Sequence, residues 1–222
     1  MGLDMYVYRY PRYKHYRPET IDAVHDYIEY MNDPDAKKYS LKAWCGVDPG
    51  MLPTKEDIKY LMQFMTIRYW LWDTEHRYPH NMICEEVAYW RKANAIHKWF
   101  VNRVQDGIDD CSYHREVTEE DLKEIINICK TILDTAVLED GKVINGYTWS
   151  NGKEKPNYQD GKYIVNPKIC EELLPTESGF FFGGTEYDQW YISDIEYTYE
   201  TLKKVLEETD FEKQMLFYVS SW

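Results

Sequence analysis

The stretch EEVAYWRKANAIHKWFV, residues 85–101, decides the predicted fold. Residues of one face recur there at alternating steps of four and three, which is the spacing of a helical stripe. We therefore predict a long amphipathic central helix that begins at Asn81 and ends near Asp106 and Gly107. Its inner face is Ile83, Val87, Trp90, Asn94, His97, Val101 and Val104.

Two polar residues, Asn94 and His97, interrupt this face one turn apart. A buried amide or imidazole without a hydrogen-bond partner costs about 1–3 kcal/mol. The pair therefore either links the core to another element or contacts a ligand, and both interpretations stay open. Because Arg91 and Lys98 flank Trp90 on the same helix, we predict a site that stacks a base and neutralises phosphate.

The composition is typical of a folded protein, and it predicts no membrane partner. The 222 residues are 44% hydrophobic and 29% charged, and no apolar run approaches the roughly 20 residues that a membrane span needs. The start of the chain shows no secretion signal. Five widely spaced cysteines without a Cys-x-x-Cys pair favour reduced thiols in a cytoplasm, and neither a metal nor another cofactor is predicted.

The net charge of −13 argues against general nucleic-acid binding, because phosphate backbones attract basic proteins. Residues 171–212 hold twelve acidic side chains against Lys203 and Lys204. That stretch could act as an acidic decoy or dock on a host protein. A local basic and aromatic pocket in such a chain favours a small anionic ligand over a polymer.

Element patterns predict an α+β fold with one domain over residues 1–222. Strands are predicted at 3–10, 179–183 and 215–219, forming a small, mainly antiparallel sheet that packs against four or five helices. The clearest helices follow capping patterns at Thr54, Thr118 and Thr185, and the first of them is predicted to extend to Trp72. Residues 139–167, rich in Gly, Asn, Lys and Tyr, predict a hairpin-like excursion that could be an inserted flap.

Two further segments could contribute to a ligand site. Glu186 and Tyr187 follow a Gly-Gly turn ahead of a predicted helix, where backbone amides can receive an anion and a carboxylate can bind ribose. Near the start of the chain, Tyr8 and Arg12 belong to a segment that interleaves aromatic and basic residues, as nucleotide sites do. An exposed loop whose tyrosines cover a neighbouring edge is the alternative for that segment.

Four motifs together resemble a family of small phage and prophage proteins. They are MGLDMY at 1–6, EVAYWRKANAIH at 86–97, GFFFGGTEYD at 179–188 and SSW at 220–222, and residues 139–167 have no counterpart in the family. The family supplies no catalytic residue to transfer. The resemblance implies an accessory phage protein that acts in the cytoplasm of a bacterial host.

These observations predict non-catalytic sequestration of a nucleotide-derived small molecule, as in a phage sponge against host immune signals. One alternative is a hydrolase of the same ligand with His97 and Glu186 as acid and base, and another is the acidic decoy. A homo-oligomer is left open. The predicted ligand-binding residues are Trp90, Arg91, Asn94, His97, Lys98, Arg12, Tyr8, Glu186 and Tyr187.

Overall fold

The structure, a computed structural model, describes residues 2–69, 79–150, 152–179 and 182–222, which form both helices and strands. The α-helices are α1 (Pro18–Asn32), α2 (Leu41–Cys45), α3 (Lys55–Leu61), α4 (Asn94–Val104), α5 (Glu119–Thr135), α6 (Lys168–Leu173) and α7 (Gln189–Glu208). The strands are β1 (Asp4–Pro11), β2 (Thr66–Tyr69), β3 (Pro79–Met82), β4 (Glu85–Arg91), β5 (Glu116–Val117), β6 (Leu138–Ser150), β7 (Lys153–Ile164) and β8 (Gln214–Ser221). The predicted α+β class is confirmed.

A four-stranded antiparallel sheet has the order β4-β1-β8-β5. The predicted strands at the two ends of the sequence are confirmed as the neighbouring central strands β1 and β8. Residues 215–218 of β8 are buried in succession, as expected of a strand that is covered on both faces. Two smaller sheets are the pairs β2-β3 and β6-β7.

The prediction of one long central helix is wrong for its first half. Residues 85–91 form β4, and helix α4 begins only at Asn94. In β4 the side chains of Ala88 and Trp90 are buried while their neighbours are more exposed, which is the alternation of a strand. Val, Tyr and Trp favour strands, and pairing with β1 supplies backbone hydrogen bonds that an isolated segment lacks. Asn81 lies in β3 and does not cap a helix.

Two other predicted boundaries also change. Residues 179, 182 and 183 adopt no strand, and residues 180–181 of that prediction lie outside the described part of the chain. Gly183 has a φ of +97°, which a strand does not use, and β4 and β5 complete the sheet instead. The helix after Thr54 ends at Leu61, and a 3₁₀ turn (Met62–Phe64) leads into β2, so the described residues do not extend it towards Trp72.

The chain divides into two compact units. The first unit is Met1–Val7, Val87–Thr209 and Tyr218–Trp222, and the second unit is Tyr8–Glu86 and Asp210–Phe217. A single domain over residues 1–222 stays a prediction.

The core of the first unit contains a pair of packed helices and a cluster of aromatic rings. Helices α5 and α7 pack against each other through their apolar faces. The rings of Phe100 and Tyr218 stack with centroids 4.2 Å apart. The capping box predicted at Thr118 is present in both halves, because Thr118 and Asp121 each accept the other's backbone amide.

The second unit explains the basic and aromatic segment near the start of the chain. The hydroxyls of Tyr13 and Tyr16 donate to Asp57 at 2.9 and 2.6 Å, and the ammonium group of Lys14 also donates to it. Tyr13 stacks on Tyr60 with centroids 4.0 Å apart. These residues fasten the segment to α3, so its tyrosines serve the packing of this unit.

The hairpin predicted within residues 139–167 is confirmed as β6-β7 of the first unit. It pairs from Leu138 with Ile164 to Ser150 with Lys153, and its register shifts at a bulge between Ile144 and Tyr147. The backbone amide of Lys162 donates to the side chain of Gln189 at 2.9 Å, which fixes the hairpin to the start of α7.

Candidate functional site

A cavity of about 560 Å³ lies in the first unit. Its walls are the turn from β4 into α4 (residues 91–96), the hairpin bulge (144–147), the segment before α7 and the first turns of α7. Of the predicted binding residues, the cavity brings together Arg91, Asn94 and Glu186.

The turn after β4 places two cations on one wall. Lys92 has a φ of +63°, and Ala93 follows with φ −79° and ψ 69°, the geometry of an inverse γ-turn. The amide of Asn94 closes that turn by donating to the carbonyl of Lys92 at 2.9 Å. Gly183 packs directly against this turn, because a Cβ atom at Gly183 would lie 3.0 Å from the Lys92 carbonyl oxygen. This chain reversal presents Arg91 and Lys92 at the cavity.

Both cations are available to a ligand. The Arg91 side chain is half exposed and lies 3.9 Å from the Asp4 carboxylate, which is a weak contact. The ammonium group of Lys92 makes no hydrogen bond or ion pair with any residue that the structure describes. Arg91, which was predicted to bind phosphate, therefore lines the cavity, and so does Lys92, which was not predicted.

Asn94 fixes another part of the cavity wall. Its Nδ2 donates to the carbonyls of Phe182 and Gly184 at 3.2 and 2.7 Å, and its Oδ1 accepts the amide of Glu177 at 3.0 Å. The side chain is only 4% exposed. Asn94 is thus a positioning residue that links α4 to residues 177–184, which is the structural alternative left open from the sequence.

The start of α7 supplies an aromatic ring and an acid. Asp188 caps the helix by accepting the amides of Trp190 and Tyr191, so the cap predicted at Thr185 is wrong. Trp190 is 52% exposed beside the cavity, and Asp194 lies one turn further along the same face. Neither residue was predicted, although their spacing of four on a predicted helix was a visible signal.

Asp194 has an unusual environment. Burial, with a smaller contribution from the negative charge of Asp188, raises the pKa of Asp194 to about 7. Its carboxylate has no hydrogen bond or ion pair within residues 2–69, 79–150, 152–179 and 182–222. A carboxyl group that is desolvated and lacks a partner is typical of a binding or catalytic position.

The hairpin contributes a further part of the lining. The Tyr147 hydroxyl donates to Glu186 at 3.2 Å, and Glu186 also accepts the amide of Thr185 at 3.0 Å. The bulge residues Ile144 and Asn145 line the same wall. The hairpin therefore contributes directly to the cavity, and its motion as a flap stays a prediction.

His97 was predicted in the site but is sealed inside the core. The ring is 0% exposed and does not line the cavity. Its Nε2 donates to Asp109 at 3.0 Å, and its Nδ1 is 2.7 Å from the Tyr218 hydroxyl. Asp109 also accepts the indole N–H of Trp222 at 3.0 Å. Both ring nitrogens are thus satisfied by the protein, which corrects the predicted ligand contact.

Trp90 is also part of the core. Its side chain is 2% exposed, and its indole N–H donates to the Thr198 hydroxyl at 2.9 Å. Trp90 does not line the cavity. The indole of the cavity wall belongs to Trp190 instead.

The other predicted residues lie elsewhere. Lys98 lines a separate cavity of about 260 Å³ beside Trp99 and Leu174. Arg12 and Tyr8 belong to the second unit, where Arg12 donates to the carbonyl of Gln214 at 3.3 Å. The Tyr187 hydroxyl accepts the amide of Thr176 at 3.3 Å and supports the segment before α7.

The cavity lining carries both signs of charge. Arg91 and Lys92 are cations, and Glu186, Asp188 and Asp194 carry carboxyl groups. Such a site suits a polar ligand that carries both an anionic group and N–H or O–H donors.

Within the described residues, no cluster of three or more histidine, cysteine, aspartate or glutamate side chains could hold a metal ion. None of the helices described is both long enough and apolar enough to cross a membrane. No protein-family model matches the chain, and no curated protein or solved structure is significantly similar to it.

Proposed function

We propose that this protein binds a nucleotide-like small molecule without transforming it. The observation that carries the proposal is the cavity of the first unit, where an exposed indole, two available cations and a carboxyl group without a partner share one space. Its volume of about 560 Å³ lies in the range of roughly 300–1,000 Å³ that ligand pockets occupy.

Each part of a nucleotide has a matching group. The base would stack on Trp190, because every base offers a π-face to an aromatic ring. Phosphate oxygens would bind Arg91 and Lys92, which are the cations at the wall. Asn145 and Glu186 offer acceptors for ribose hydroxyls.

Binding is favoured over hydrolysis because the predicted acid–base pair is not assembled. His97 is buried with both nitrogens hydrogen bonded, while Glu186 lines the cavity. The resemblance to phage proteins supports the setting that we propose, sequestration of a host nucleotide signal in a bacterial cytoplasm.

Isothermal titration calorimetry tests this function with mononucleotides, cyclic dinucleotides and ADP-ribose derivatives. We expect at least one of them to bind, and Trp190→Ala to weaken that binding by about tenfold or more, since loss of base stacking costs roughly 1–3 kcal/mol. Trp44→Ala, which removes an exposed indole of the second unit, is the matched control. Absence of binding by all of these ligands would overturn the proposal.

Lys92→Gln tests the phosphate contact separately. It should weaken the ligand and reduce the salt dependence of its affinity, whereas Lys37→Gln in the second unit should change neither. Chromatography of the ligand after incubation distinguishes a binder from an enzyme. Recovery of unchanged ligand is expected, and recovery of a product would replace the binder with the hydrolase.

A further inference from the structure

Three carboxyl groups line the cavity, and one of them makes no hydrogen bond with any residue described. Asp188 accepts the amides of Trp190 and Tyr191. Glu186 accepts the Thr185 amide and the Tyr147 hydroxyl. The Asp194 carboxylate has no such partner among the residues described. A ligand that donates hydrogen bonds would supply the partners that this acid lacks within the protein.

The position of Asp194 relative to Trp190 defines where that donor would be. Residues four apart on a helix are neighbours on one face, and both of these residues line the cavity. A base stacked on the indole would present an edge to the carboxylate one turn further along α7. Asp194 would therefore lie beside the edge of that base.

The chemistry of a carboxylate separates the bases. An ionised carboxylate only accepts hydrogen bonds, and its two oxygens match two parallel donors. Guanine presents adjacent N1–H and N2–H donors on its Watson–Crick edge. Adenine instead presents a hydrogen-bond acceptor at N1. Its lone pair would face the lone pairs of the carboxylate, which is repulsive. Hypoxanthine keeps N1–H but lacks the amino group.

We propose that Asp194 makes the cavity selective for guanine nucleotides by accepting the N1–H and N2–H groups of the base. This selectivity rests on the proposed nucleotide binding and identifies the class of nucleotide. Arg91 and Lys92, which line the same cavity, would hold the phosphate.

The same contact makes binding depend on pH. Burial holds the pKa of Asp194 near 7, so the carboxylate that guanine needs is only partly ionised near neutrality. The other charged or titratable side chains that line the cavity are Arg91, Lys92, Tyr147, Glu186, Asp188 and Tyr191. Affinity for GMP should fall as pH is lowered from 8 to 6, while affinity for AMP should not fall in this way.

Calorimetry with GMP, IMP and AMP tests the inference on the whole protein at pH 8. We expect GMP to bind about tenfold or more tightly than IMP and AMP, the discrimination typical of a bidentate base contact. Asp194→Asn should abolish this preference because an amide offers one acceptor and one donor. Glu196→Gln, which removes one exposed charge from the same helix, should preserve it.

The outcomes separate the two proposals. Equal affinities for the three nucleotides, or a GMP preference that survives Asp194→Asn, would overturn guanine selection and leave nucleotide binding intact. If neither these nucleotides nor the wider panel bind, both proposals fail. Circular dichroism of each variant confirms that the comparison is made between folded proteins.

Discussion

Asn94 Nδ2 donates a hydrogen bond of 2.7 Å to the carbonyl oxygen of Gly184. Because Asn94 begins α4 and Gly184 precedes α7, this bond joins two walls of the cavity. The same amide also binds the backbone at Phe182 and Glu177. One buried side chain therefore fixes residues 177–184, where the described residues of the predicted strand at 179–183 adopt no strand.

Asn94→Ala should reduce the free energy of unfolding by about 2–3 kcal/mol, because one buried and two partly buried backbone groups lose their partner. Urea denaturation measures the change. Asn102→Ala, on the exposed side of the same helix, should stay within about 0.5 kcal/mol of the wild type. Equal effects of the two substitutions would contradict a specific role for Asn94. GMP affinity should also weaken in Asn94→Ala, since a wall of the cavity is released.

His97→Phe should destabilise the protein by about 2–4 kcal/mol and leave nucleotide affinity within twofold of the wild type. The substitution leaves the Tyr218 hydroxyl and the Asp109 carboxylate without their shared partner. Trp222→Phe removes only one hydrogen bond at a half-exposed indole and should cost less than about 1 kcal/mol. Chemical denaturation and calorimetry on the folded variants provide both measurements. If His97→Phe lost nucleotide binding while its stability stayed unchanged, His97 would have to contact the ligand.

Asp194→Asn should stabilise the protein at pH 8. The folded-state pKa of Asp194 is raised to about 7, so its burial penalty is absent below the unfolded value near 4 and grows as pH rises towards 7. Above pH 7 the penalty is constant, and an uncharged amide avoids it. We expect a gain on the order of 1–3 kcal/mol at pH 8 and a much smaller one at pH 4. Thermal unfolding across this range, with Glu196→Gln as control, measures the difference, and a loss of stability at pH 8 would contradict the desolvated carboxylate.

Asp57→Asn should destabilise the second unit at neutral pH and lose that effect in acid. Hydrogen bonds from Lys14, Tyr16 and Tyr13 hold the pKa of Asp57 well below its usual range. Its contribution is therefore present above the unfolded value near 4 and is lost as pH falls through the folded value. The gap in urea midpoint between wild type and variant should narrow below about pH 4. Glu56→Gln, an exposed acid of the same helix, should show no comparable gap.

Some of the fold could be predicted because the deciding interactions are local. The capping box of Thr118 and the cap of Thr54 join groups three residues apart, so a short pattern contains both partners. The hairpin of β6 and β7 follows from turn residues between two strands. At α7 the predicted cap, Thr185, is wrong, and Asp188 caps the helix instead. The bridge between Tyr163 and Asp188 fixes the segment that ends in the observed cap, and Tyr163 is distant in sequence.

The site was predicted only in part for a related reason. Residues 86–97 were assigned to one helical face, which grouped Trp90 and His97 with Arg91 and Asn94. The strand β4 and the turn at Lys92 separate them, so Arg91 and Asn94 reach the cavity while Trp90 and His97 enter the core. Trp190 and Asp194 are absent from the predicted site because the pattern of this helix indicates only its apolar face.

The sequence by itself determined the α+β class, the terminal strands, the starts of α3 and α5, and the presence of cations near Asn94. Each depends on propensity, capping or periodicity within about one or two turns of chain. Tertiary structure alone decided that residues 85–91 pair with β1 as a strand, and that the hairpin and α7 meet Arg91 and Lys92 around one cavity. A strand completes its hydrogen bonds only with a partner strand, and that partner lies some eighty residues away in the chain.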